Sequence, residues 1–157
     1  LGAATGAVVG LVAITPGAGF VPIWASIIIG ACVSPICYFF ITYVKSKLGY
    51  DDALDAFGCH GIGGIWGAIA TGIFAKSSLN SAAKWDGLIY GEVTLFLRQL
   101  LSIAITIAIA VIGTLIAVGI AKLVTRDIRV TKRAEDMGLD ATEHGETAYP
   151  AFHGMDN

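Results

Sequence analysis

Residues 51–75 read DDALDAFGCHGIGGIWGAIATGIFA, and the reading of this stretch decides the fold. It opens on three acids, Asp51, Asp52 and Asp55, and then carries no charged side chain from Ala56 to Ala75. As a helix rising about 1.5 Å per residue, that run crosses the ~30 Å hydrocarbon core of a bilayer. One histidine interrupts it, His60. Such a group is costly to place inside a span, which makes it a candidate functional residue. Asp52 and Asp55 stand where free backbone N–H groups and the helix dipole favour a carboxylate, so both are expected to cap the span. Attraction or stabilisation of a cation is compatible with that role, whereas Asp51 is expected to be solvated. His60, Gly63, Gly64 and Gly67 follow i, i+3, i+4, i+7 spacing. That places the imidazole on a glycine stripe that admits another helix, facing protein rather than lipid.

The flanking sequence has the same character. The 157 residues are 55% hydrophobic and only 14% charged, against about a quarter charged in soluble domains. The charges are also unevenly placed: residues 1–44 and 99–121 contain none. The expectation is an all-α polytopic membrane protein, with a transmembrane domain over residues 1–125 (spans at about 1–15, 23–44, 56–75 and 95–124) and a tail over 126–157. In the first span Gly2, Gly6 and Gly10 fall four apart, a small-residue face suited to close helix approach or to a pore wall. Residues 15–22, TPGAGFVP, predict a tight turn. Pro35 is expected to kink or locally break the second span. Cys32, Cys37 and Cys59 lie in apolar segments and read as small buried hydrophobes. The tail is polar, interrupted by glycine and proline, and has no core of its own. The chain begins at Leu1 within an apolar segment, which reads as the C-terminal part of a longer protein.

Enzymatic readings fail on spacing. Trp66 occupies the third glycine position of a GxGxxG pattern and no strand precedes it. Cys59 and His60 are adjacent and point different ways on a helix, with no further ligand at metal-binding spacing. His60 and Asp52 stand about 12 Å apart along a helix, too far for a direct acid–base pair. No enzyme, cofactor, metal or nucleic-acid partner is expected. Orientation follows from lysine and arginine: Lys45, Lys47, Lys122, Arg126, Arg129, Lys132 and Arg133 fall on one side of the spans, and Lys76, Lys84 and Arg98 on the other. The positive-inside rule puts the C-terminus in the cytoplasm.

These residues carry a resemblance. DDALDAFGCHGIGGIWGAIATGIFA closely resembles the ammonium transporter family, the ammonium permeases related to Rhesus glycoproteins. GAVVGLVAITPGAGFVPIWASIIIGA is similar to the family's preceding hairpin, and GLDATEHGETAYP, residues 138–150, to its cytoplasmic C-terminal region. The resemblance implies an eleven-helix fold of which this chain forms the last four spans, in the plasma (cell inner) membrane. It matches His60 to the second of two histidines lining a narrow hydrophobic pore; the first belongs to an earlier span, and His144 and His153 lie in the tail. Ala56 and Phe57 are expected near the cytoplasmic exit, with Asp52 and Asp55 in structural or electrostatic support.

The implied activity is ammonium transport. A bare cation is expensive to bury, whereas ammonia is neutral, and a neutral imidazole can exchange a hydrogen bond or a proton with it. Ammonium would be deprotonated outside and ammonia conducted past His60. A membrane ammonium sensor of the same fold, regulated through the tail, is the alternative. The resemblance further implies a homotrimer, and a nitrogen regulator of the PII class at the cytoplasmic face. Gly138, Asp140, His144, Glu146 and Tyr149 match that regulatory tail.

Overall fold

The computed structural model describes residues 2–146. Among them the regular elements are helical. The chain divides into two units, residues 1–108 and 109–157, with the boundary inside the longest helix. In the first unit lie α1 (Gly2–Ile14), α2 (Ile23–Leu48), α3 (Phe57–Phe74) and the start of α4 (Thr94–Thr125). Three of these helices, α2, α3 and α4, are long and apolar enough to cross a membrane; α1 with the 3-10 turn that follows it is shorter.

The buried positions explain the packing of the first unit. On α2, Ala25, Ile29, Val33 and Cys37 recur every fourth residue as one stripe, and α1 contributes Val9 and Ala13. On α3 the inward positions are mainly small: Gly63, Gly67, Ala70 and Thr71. Removing side-chain volume there lets backbones approach, the usual solution where lipid supplies no hydrophobic drive between helices. A methyl group at Gly67 would strike the Ala13 carbonyl of α1, and one at Gly63 would lie 3.3 Å from Val12 Cγ1. One at Gly72 would lie 2.9 Å from Phe96 Cα on α4. The stripe of α3 thus seats α1 along most of its length and the first turns of α4 near its end. Trp66 donates its indole N–H to the Ile29 carbonyl of α2 at 3.1 Å, which satisfies a polar group that lipid could not.

Several local expectations need correction. Of the kink or local break expected at Pro35, the break does not occur: α2 stays α-helical through Phe39, and a π-helical turn follows over Phe40–Val44. The glycine face of α1 receives no neighbour, since a Cβ at Gly2, Gly6 or Gly10 meets nothing within 4 Å. The tight turn at 15–22 is present as a 3-10 turn, Thr15–Gly17, followed by Gly19 at φ +80°. It is pinned to the end of α3 by a hydrogen bond from Lys76 N–H to the Phe20 carbonyl, 2.8 Å. Cys37 and Cys59 are buried and Cys32 partly so, all as free thiols.

In the second unit, residues 109–125 of α4 are exposed along their whole length. A large apolar surface of that kind is stable against lipid or another protein surface, not against water. Beyond it the tail, expected to be polar and without a core of its own, forms α5 (Lys132–Met137) and a π-helical turn over Asp140–His144. The Thr131 side chain caps α5 by accepting the Ala134 N–H, and Arg129 pairs with Glu135. That pairing holds the Glu135 carboxyl below the usual range.

Candidate functional site

Asp52 and Asp55 set up the start of α3 in different ways. The Asp52 carboxylate accepts the Ala56 and Phe57 N–H groups at 2.8 and 2.9 Å, using both oxygens on donors that have no partner inside the helix. Asp55 does not cap with its side chain. Its backbone lies in the left-handed region, φ 55°, and its carboxylate reaches back to Lys45 Nζ at 2.6 Å. Lys45 also donates to the Asp52 carbonyl. The last turn of α2 and the first turn of α3 are therefore joined by one lysine, across a connection in which Gly49 at φ 65° ends the helix. Opposite charges flanking a short loop were the available sequence signal for this link, and the expectation of two capping acids passed over it.

The first turn of α3 is π-helical, Phe57–Ile62. Its wider i→i+5 turn shifts His60 relative to the regular helix Gly63–Phe74 that follows, yet all four residues expected on one face lie toward α1. Gly63 and Gly67 are buried beneath α1, whereas His60 and Gly64 stand beside it. His60 is exposed within this chain and is not enclosed by it. It borders two apolar clefts that meet along α1. One, of about 510 Å³, is lined with Val8, Leu11, Val12, Thr15, Pro16 and Gly64. The other, of about 310 Å³, is lined with Ala4, Thr5, Val8, Leu54, Ala56 and Cys59. Among the described residues, His60 is the one ionisable nitrogen base in either lining.

Ala56 thus shares a cleft with His60, and Phe57 does not. The Phe57 ring packs over Gly61 and meets Tyr50 edge-on, with ring centroids 5.9 Å apart. The wall opposite His60 went unnoticed in the sequence. Ala4, Val8, Leu11 and Thr15 follow the spacing of one helical face, and that was the signal for it.

The tail residues are a separate group in the second unit. Gly138 ends α5 at φ +92°, a conformation that disfavours side chains. The Asp140 carbonyl accepts the Glu146 N–H at 2.9 Å and closes a loop around the exposed His144. Tyr149 lies outside the described residues. No group of three or more His, Cys, Asp or Glu that could hold a metal occurs among the described residues.

The chain is similar to known proteins along most of its length. The family model described as the Ammonium Transporter Family matches residues 1–149. The chain is 52% identical over 149 residues to an ammonium transporter of Bacillus subtilis, covering 95% of this chain and 36% of the relative. It is 42% identical over 152 residues to ammonium transporter Amt1 of Archaeoglobus fulgidus, covering 95% and 37%. Among solved structures, Candida albicans Mep2 superposes with a TM-score of 0.71 at 29% identity, over 82% of this chain and 29% of that one. The chain spans about a third of the length of the curated relatives it matches. On a match that runs through α1 to the tail, with three membrane-length apolar helices, the chain belongs to the Ammonium Transporter Family.

Proposed function

We propose that this chain supplies the last four spans of an ammonium transporter, and that His60 borders the path taken by ammonia. The transmembrane part covers residues 1–125, and residues 126–157 form a cytoplasmic tail. The observation that carries the reading is the setting of His60. A single imidazole stands in a continuous apolar trough along α1, with Val8 common to both of its clefts. A charged ion gains little from such walls, whereas ammonia crosses them at low cost and exchanges hydrogen bonds with the imidazole. Ammonium is therefore deprotonated before it enters, and the neutral species passes.

The first turn of α3 is held for this task. Asp52 fixes the Ala56 and Phe57 amides, and the Lys45–Asp55 pair fixes the loop, so His60 projects from an anchored turn. Ala56 continues the trough toward the cytoplasmic side; Phe57 acts from behind, by packing on Gly61. Filling the trough tests the reading. Val8→Trp in the full-length transporter, reconstituted at unchanged protein density, is expected to abolish methylammonium uptake. Uptake at the unsubstituted rate would show that the path lies elsewhere.

The tail acts between subunits of a homotrimer in the plasma membrane and receives a PII-class regulator. The support for this is the resemblance of residues 138–150 to the family's cytoplasmic C-terminal region, with a family match that extends to residue 149.

A further inference from the structure

We infer that the Lys76–Val93 end of the helices carries a binding site for the phosphate group of an anionic phospholipid, built on Lys84 and Arg98. This end carries three of the chain's cationic side chains, Lys76, Lys84 and Arg98. Two of them, Lys84 and Arg98, line one cavity of about 390 Å³, together with Trp85 and Gln99. Among the described residues, no carboxylate is in that lining. The nearest acid in sequence, Asp86, is committed to the Ser77 N–H at 2.6 Å, which holds its carboxyl below the usual range.

The guanidinium of Arg98 lies over the Trp85 ring, 4.1 Å from its centroid. This contact orients the planar group through its face and leaves its N–H donors uncommitted. Those donors form a planar fork that matches the oxygens of a phosphate, and Lys84 adds a second positive charge. The rest of the wall is mainly apolar, with Pro16, Phe20 and Leu95, and its one further hydroxyl, Thr71, is spent on the Gly67 carbonyl. A cation pair opening onto an apolar wall, one turn into a membrane-length helix, suits a headgroup with its acyl chains attached better than a free ion.

The test uses the full-length transporter in detergent, with thermal unfolding followed as lipid is added. Phosphatidylglycerol is expected to raise Tm more than phosphatidylcholine does. Lys84→Gln with Arg98→Gln is expected to remove that difference and to weaken phosphatidylglycerol binding roughly tenfold, while leaving the lipid-free Tm in place. Inorganic phosphate in place of lipid separates the two sources: an equal rise, lost in the same variant, would overturn the lipid and leave a free-anion site. An undiminished phosphatidylglycerol effect in the variant would overturn the site itself. Should the double variant fail to fold, photoreactive phosphatidylglycerol on the unsubstituted protein decides. Cross-links at the Phe20 and Leu95 peptides support the site, and their absence there overturns it.

Discussion

Gly67 is where a single methyl group should do most harm. It lies on α3 directly beneath α1, and a Cβ there would run into the Ala13 carbonyl, with Ala13 C and Cα at 3.0 and 3.1 Å. All three contacts are backbone atoms, so no side chain can swing away and α1 itself must move. Overpacking of this kind costs about 1–3 kcal/mol, and a fixed backbone wall puts Gly67→Ala near the upper end. Alanine returns about 1 kcal/mol through its better helix propensity. A net loss of roughly 2 kcal/mol remains, a fall of about 2 °C in Tm for a transporter of roughly three times this chain's length. The assay is thermal unfolding of the purified full-length transporter. Gly30→Ala serves as the comparison, because a Cβ at Gly30 on α2 meets nothing within 4 Å. Because α1 forms the wall facing His60, the displacement should also slow methylammonium uptake. A Gly67→Ala protein that melts within about 1 °C of the unsubstituted one would refute the packing argument.

Two further outcomes follow from the structure. The Ser77 N–H bonds to Asp86 and depresses its carboxyl pKa below the ordinary 3.8, so the unfolded connection binds the proton more readily than the folded one. Stability from this contact is therefore complete above about pH 4 and lost as pH falls through the lower folded value; hydrogen exchange of the 77–86 peptide should stay protected at about pH 4 and open only below it. Deleting residues 133–157 removes most of α5 and the loop closed by Asp140 and Glu146, and should abolish either uptake or binding of the PII-class regulator. Unchanged values of both would remove the tail from the account.

How much of this was legible in the sequence differs from element to element. The charge-free runs located the membrane-length helices well, since excluding charge from hydrocarbon is a strong constraint: α3 was expected at 56–75 and spans Phe57–Phe74. The glycines of α3 signalled close packing, and Gly63 and Gly67 provide it. His60 lies on the same α1-facing side but is exposed within this chain, at the edge of the stripe, after a π-helical turn at Phe57–Ile62 that carries no composition mark. Asp55 was read as a second cap. The left-handed backbone at that residue and the reach of Lys45 depend on how the loop closes, which local spacing does not determine. Glycines 2, 6 and 10 resembled a packing face, yet this chain places nothing against them. The short structure in the tail escaped notice because a six-residue helix held by one cap and one ion pair produces no hydrophobic periodicity.

The central claim is that the His60 imidazole borders the route of ammonia. Its most direct test is methylammonium uptake by the full-length transporter carrying His60→Ala, measured beside the unsubstituted protein at equal density in the same membranes. Loss or marked slowing of uptake, or a changed preference among cations, is the predicted result. Uptake at the unsubstituted rate with unaltered selectivity would contradict it.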